Sequence, residues 1–489
     1  MATVKHDSVQ SSLTQAWMNY IDGEWVSSQA GRSIEVLNPA SGELYARMQA
    51  ATAADVDRAV SVARAAVKTR ALYEMPPHAR MSLLFRIAIE LRAMSEEIVP
   101  VLVGENGKSV SFARDEIECA AQYFEYYGGI ADKVFGKSIP LGGGYVDYTQ
   151  FVPYGVSAQI VPWNFPLEIA ARSVAPALAC GNAVITKSPE LSPLSMCFLA
   201  KACERAQVPK GYFNLLAGHG SDVGEALVSH TGIDQIVFTG SIETGRRLLH
   251  HAAEKIIPMV AELGGKSAGI VYPDADLAAV VKSSAIGIFA HGGQVCSAGS
   301  RLIVHHSIHD ELVEGIAAWI KTKTMGPGLE DHFFTPLISE AQRDKAERFV
   351  TRAVEQGATA AAGGSRPDGR SGFYMRPTIL TGVTPAMEVN QREVFGPVLS
   401  VLKFSEPEEA LEIANGTEYG LAAGVYTKDL SRAHWTADRL EAGTVFVNQW
   451  FAGGNETPFG GFKKSGYGRE KGVEAMANYQ QTRNVAIRL

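Results

Sequence analysis

The stretch Gly293-Gln294-Val295-Cys296-Ser297-Ala298-Gly299-Ser300 sets one cysteine among small residues. Upstream, Glu262-Leu263-Gly264-Gly265-Lys266 places a carboxylate where the apolar run Pro258-Met259-Val260-Ala261 breaks at two glycines. A thiol and a carboxylate, each beside flexible backbone, are a candidate nucleophile and a candidate base, the components of covalent catalysis. A resting thiol has a pKa near roughly 8.5, so a working nucleophile needs that value lowered or a base nearby. The glycine- and serine-rich flanks give Cys296 no face to bury. Cys119, Cys180, Cys197 and Cys203 sit among helical or apolar residues and read as packing.

The elements that must position these groups alternate along the chain. Arg80 to Val103 has the apolar spacing of one helix, stopping near Gly104. Val156 to Val161, Gly181 to Lys187 and Asp234 to Thr239 read as strands, with helical segments over Pro193 to Ala206 and Ile242 to Ala253. Strands separated by helices predict βαβ units and a mainly parallel sheet. The rhythm restarts after Gly264, with strands at Ser267 to Tyr272 and Arg301 to His305 and helices at Asp276 to Ala290 and His309 to Lys323. A second α/β domain is therefore expected, joined at Glu262-Leu263-Gly264-Gly265. Tyr145 to Val152 and the tail from Ala477 to Leu489 alternate like antiparallel strands that pair away from both sheets. Such a ribbon has an edge in need of a partner.

At 489 residues the chain is too long for one core, and two or three domains are expected. A net charge of −7 without a Lys/Arg-dense segment argues against nucleic-acid binding. The 5 cysteines are sparse, odd in number and lack CxxC spacing, which argues against a disulfide framework or a zinc site and favours a reducing compartment. Met1 to Tyr20 is polar, without the apolar stretch of a signal peptide. No apolar run reaches the roughly 18 residues of a membrane span. A cytoplasmic location, with no membrane partner, is the expectation.

Six segments then occur in a telling order: Pro162-Trp163-Asn164-Phe165-Pro166, Phe238-Thr239-Gly240-Ser241, Glu262 to Lys266, Gly293 to Ser300, Glu393-Val394-Phe395-Gly396-Pro397 and Pro458-Phe459-Gly460-Gly461. With them the chain resembles the NAD(P)-dependent aldehyde dehydrogenase superfamily nearly end to end. The resemblance implies a Rossmann-like cofactor domain (1–127 and 150–262), an α/β catalytic domain (263–475) and a small β-ribbon for oligomerisation (128–149 and 476–489), in a homodimer or homotetramer. It assigns Cys296 as the nucleophile and places the Asn164 side-chain amide and the Cys296 N–H on the oxyanion. Glu262 becomes the base that activates water against a thioester. The intact Glu262 favours hydrolysis over transfer to coenzyme A. A catalytically silent homologue would be expected to lose Cys296, Glu262 or Asn164, and all three are present.

Gly218-His219-Gly220 with Gly224 has the wrong spacing for the dinucleotide fingerprint. Gly240-Ser241-Ile242-Glu243-Thr244-Gly245 instead opens a helix after a strand, a setting that binds phosphate. The resemblance implies pyrophosphate there, with Ser241 and Trp163 on phosphate, Lys187 and Glu190 on the adenosine ribose, and Gly220 beside the adenine. It puts Glu393 on the nicotinamide ribose and Phe395 behind the nicotinamide. A carboxylate at Glu190 accepts from ribose hydroxyls and repels a 2′-phosphate, which favours NAD, while the neighbouring Lys187 leaves NADP open.

Phe165, Ile169, Arg172, Ala290, His291 and Trp450 to Phe459 are expected around the substrate, an apolar and partly aromatic tunnel with Gly453-Gly454 at its mouth. Two roles are open for Arg172. Relatives acting on carboxylate-bearing semialdehydes carry an arginine at the similar position, and a guanidinium holds a carboxylate through paired hydrogen bonds. Alternatively, Arg172 pairs with Glu168 one helical turn earlier. The substrate is accordingly expected to be a semialdehyde bearing a carboxylate or an aromatic aldehyde.

Overall fold

The computed structural model describes residues 16–28 and 31–489. Most of the polar start, Met1 to Tyr20, therefore lies outside the described residues. The first sheet has 8 strands. Its centre is five parallel strands in the order Phe213–Leu216, Ala183–Lys187, Val156–Ile160, Gln235–Thr239 and Met259–Glu262. They are buried along nearly their whole length, polar Ser157, Gln159 and Asn214 included, because both faces of the sheet are covered. The chain builds outward from Val156–Ile160 on one side, then returns to lay Gln235–Thr239 against its other edge. That reversal is a topological switch point, where a crevice opens beyond the carboxyl ends of the two strands. Pro162-Trp163-Asn164 leaves one strand there and Gly240-Ser241 leaves the other.

Past Gly264-Gly265 a second sheet of 7 strands begins with Ala268–Val271. Its strands are parallel except the edge pair Thr359–Ala362 and Thr378–Thr381. The chain then comes back to the first unit. Gly466–Tyr467 adds antiparallel to Met259–Glu262, and Ala475, Met476 and Tyr479 pack in the first core. The boundary at 475 drawn from sequence thus misses the return, because two residues of strand and a short 3-10 turn carry no periodic signal. Finally, Gln480–Arg488 pairs with Tyr145–Pro153 along its full length, with Ser138–Ile139 as third strand. This small sheet stands apart from the other two, as alternation in both segments predicts.

The single helix expected over Arg80 to Val103 is two, Pro77–Ala93 and Ser95–Asn106, with a corner at Met94. The apolar spacing runs on because the residues on both sides of the corner face one core.

Candidate active site

The segment after Val156–Ile160 is pinned at almost every residue. Asn106 Nδ2 and Ser192 Oγ donate to the Trp163 carbonyl, at 2.7 and 2.9 Å. The helix Pro166–Ala179 lacks a side-chain cap of its own. Glu116, from the helix Val110–Ile130, supplies one across space, its Oε1 accepting from the N–H of Leu167 at 2.9 Å. Asn164 is buried between these anchors, and its Nδ2 donates to the Gln294 carbonyl at 3.0 Å. An amide nitrogen carries two hydrogens, so one is left for a ligand.

The cysteine loop follows the helix Leu277–Phe289 through three left-handed residues, His291, Gly292 and Gly293. At Gly293 a Cβ would sit 2.2 Å from the Gly396 carbonyl oxygen, so only glycine fits. Cys296 is half-buried. Its flanks are not the free loop expected: Gly293, Gln294, Ser297 and Ala298 are buried. Gly293, Ser297 and Ala298 are small and pack closely, while Gln294 is held by hydrogen bonds. Trp450 is part of that packing, because Nε1 donates to the Ser297 carbonyl at 3.0 Å and a Cβ on Gly424 would meet the indole at 2.5 Å. The indole expected in the tunnel is committed beneath the nucleophile loop, in room that a glycine leaves.

Glu262 ends its strand directly beside Thr239, buried and without a hydrogen-bond partner for either carboxylate oxygen among the described residues. Burial pushes its carboxyl well above the usual range, the charge of Glu470 adds to this, and Arg172 opposes it. Arg172 does not pair with Glu168. Its guanidinium forms an ion pair with Glu470, the two residues being 5% and 1% exposed, and lies 5.5 Å over the Phe459 ring. The helical spacing that offered Glu168 could not reveal Glu470, which arrives on the returning chain. Burial pushes the Cys296 thiol up to about 12, against the pull of Arg172 and with Glu393 and Glu262 adding to it.

These groups share one cleft of about 170 Å³ at the switch point, lined by Trp163, Asn164, Gly240, Ser241, Glu262, Cys296, Glu393 and Phe395 together with Gln342 and Lys345. Ser241 caps the helix Ile242–Lys255, accepting from the Thr244 N–H at 3.2 Å. Glu393 accepts from the Gly265 N–H at 3.0 Å, and a Cβ on Gly264 would lie 2.3 Å from its other oxygen. Phe395 is left-handed, with its ring edge-on to Trp163 at 5.3 Å. Lys187, Glu190 and Gly220 form a separate cluster. Glu190 pairs with Lys187 at 3.4 Å and accepts from the Gly220 N–H at 2.7 Å. Phe165 turns toward His291, ring to ring at 5.0 Å. Sequence reasoning missed Gln342, Lys345, Glu470 and Lys108. The first two lie on the charged helix Glu340–Glu355, and Glu470 stands in Arg469-Glu470-Lys471, so all three resemble solvated surface in sequence.

The profile of the aldehyde dehydrogenase family matches residues 25–485. The chain belongs to this family. It is 38% identical over 475 residues to the mitochondrial benzaldehyde dehydrogenase of Antirrhinum majus, covering 96% of this chain and 88% of that one. An aldehyde dehydrogenase from Bacillus cereus solved with NAD+ superposes with a TM-score of 0.96 at 36% identity, over 99% of each chain. An indole-3-acetaldehyde dehydrogenase complexed with NAD+ superposes with a TM-score of 0.97 at 37% identity, over 100% of each. As an aldehyde dehydrogenase family member, the chain has an α/β fold, and among the described residues no helix is long and apolar enough to cross a membrane.

Proposed function

We propose that the protein oxidises an uncharged aldehyde to the carboxylic acid with NAD+, through a thioester on Cys296 that water then cleaves. The observation that carries this reading is the meeting of Cys296, Asn164, Glu262 and Glu393 on one cleft at the switch point. The cleft fits a dinucleotide. It offers a helix N-terminus to phosphate, the Glu393 carboxylate to ribose hydroxyls and the Trp163 and Phe395 rings to a flat base. Glu190, with Lys187, would hold the adenosine ribose, and its charge disfavours a 2′-phosphate.

The Cys296 thiol releases its proton to water in the cleft, and the thiolate sulfur attacks the aldehyde carbon, the carbonyl π pair moving onto oxygen. The oxygen that gains charge is held by the Asn164 N–H not used by Gln294 and by the Cys296 N–H, the kind of donor pair that carries much of such catalysis. Bound NAD+ supplies the hydride acceptor. Glu262 then takes a proton from water, whose oxygen attacks the thioester carbon and releases the acid as the C–S bond breaks. A buried carboxylate with unpartnered oxygens suits that task, and favours water over coenzyme A as the acceptor.

The pairing of Arg172 favours one of the two substrate classes. Its charge is already matched by Glu470 inside the protein, so Arg172 is not free to pair with a substrate carboxylate. With Phe165 and Phe459 nearby, an uncharged aromatic aldehyde fits better than a semialdehyde, in keeping with the names of the two aromatic-aldehyde relatives. The ribbon edge is proposed to meet a second copy of the chain, as a dimer or tetramer.

The test is NADH formation without coenzyme A, with benzaldehyde and succinic semialdehyde as substrates. Turnover that favours benzaldehyde and drops to background in Cys296→Ala is expected. A preference for the semialdehyde would overturn the assignment of Arg172, and turnover surviving Cys296→Ala would overturn the mechanism.

A further inference from the structure

Asn164 is tied to the nucleophile loop at both its ends. Its side chain donates to the Gln294 carbonyl at 3.0 Å. Gln294 in turn donates twice to the His291 carbonyl, from its backbone N–H and from Nε2, each at 3.2 Å. The His291 ring closes the circuit, with Nε2 3.0 Å from the carbonyl oxygen of Asn164. A carbonyl only accepts, so Nε2 carries the proton and His291 is the donor. The same oxygen takes a second bond from Lys108 Nζ at 3.0 Å.

Neither donor is in this position by accident of the surface. His291 is 1% exposed and Lys108 is fully buried. Burial and the nearby Lys108 charge hold the imidazole well below its usual pKa, so it stays a neutral single donor. Lys108 is paired with buried Glu116, which also caps the helix that follows Asn164. Phe165 lies against both donors, with the ammonium 4.3 Å over its ring and the tilted imidazole ring at 5.0 Å. His291 is moreover held in a left-handed conformation at φ 51°, unfavourable for a residue with a Cβ and kept only where the surroundings impose it.

We infer that His291 is a positioning residue for aldehyde oxidation: its Nε2–H, with Lys108 as the second clamp, fixes the distance between the Asn164 amide and the loop that carries Cys296. The inference rests on the role of Asn164 proposed above. The geometry gives the reason for a clamp at this point. Asn164 and Cys296 come from different sheets, and the stabilisation of an oxyanion depends on donors already in place when charge develops. A misplacement of about 1 Å at such a site lowers rates about 100-fold.

The experiment is a double-mutant cycle of His291→Leu with Asn164→Ala, with His291→Gln as the conservative variant, whose amide N–H can reach the position of Nε2–H. NADH formation, NAD+ affinity and the rate of Cys296 alkylation by iodoacetamide are measured for each. His291→Leu is expected to lower kcat about 10- to 100-fold, with NAD+ affinity and alkylation within about twofold of the parent. His291→Gln should recover most of that loss. In the Asn164→Ala background, His291→Leu should cost almost nothing further, because the group it positions is gone. Equal losses in both backgrounds, or an alkylation rate that falls in step with kcat, would show a general disturbance of the loop and overturn the inference. A fully active Asn164→Ala would instead overturn the oxyanion role on which it rests.

Discussion

Glu262 works at a burial level that most carboxylates avoid. Its carboxyl is held well above the ordinary range by burial and by Glu470, so the fraction able to act as base grows as pH rises above that range. Turnover is therefore expected to keep rising with pH beyond the range in which an ordinary carboxylate is already fully ionised, following the deprotonated carboxylate. Glu262→Gln should form close to one NADH per site and then stall, with steady-state turnover down about 100-fold or more, since the thioester forms but water is not activated. Rapid-mixing absorbance at several pH values measures both. A variant without the initial burst would place Glu262 before hydride transfer. Cys296, Asn164 and Glu262 were legible in sequence because each sits in a short motif that sets its neighbours as well as itself. Glu470 and Lys108 were not. Lys108 stands alone between Gly107 and Ser109 and Glu470 lies inside a charged run, and nothing local distinguishes a buried charge from a solvated one until its partner, Glu116 or Arg172, is brought across the fold.

Among the elements, the loop from His291 to Gly299 has the least freedom. It is buried on its inner side by Trp450, tied to Asn164 through Gln294, and turned by Gly293 where no side chain fits. Gly293→Ala must either shift the Gly396 carbonyl or move the loop, because φ is +70° there and the contact is with backbone. A loss of about 100-fold in kcat/KM is expected, with the secondary structure unchanged by circular dichroism. Retained activity would mean that the loop relaxes without moving Cys296. Periodicity placed the strands leading to this region within a residue or two, since their apolar runs end where the backbone leaves the sheet. It could not place Trp450, because the space that the indole fills is made by a glycine remote in sequence, nor the corner at Met94, where one apolar face continues through a change of direction.

For the molecule as a whole, the three-stranded ribbon is the part that a single chain leaves incomplete. Phe135 and Leu489 are 73% and 82% exposed beside it, and among the described residues no strand pairs with the outer edge of Gln480–Arg488. An unpaired strand edge of this kind favours pairing with a further strand. Removing residues 480–489 is expected to reduce the sedimenting species to the monomer. A parent chain that is already monomeric would remove the ribbon from the assembly. The alternation in Tyr145 to Val152 and in the tail made this pairing legible, but the chain's return to the first core near Ala475 was not, since so short a segment has no period to read.

That return also puts the ribbon under the control of protein synthesis. Asn484 Nδ2 bonds Asp147 Oδ2 across a separation of 337 positions, and Glu470 reaches Arg172 only on the same late segment. At a ribosomal rate of about 5–20 residues per second, the strand around Asp147 waits on the order of tens of seconds for its partner. Throughout that interval Arg172 has no counter-ion and the first sheet has no closing strand at Met259–Glu262. A nascent chain halted between Ser300 and Gly466 would carry the whole nucleophile loop and still lack a finished active site.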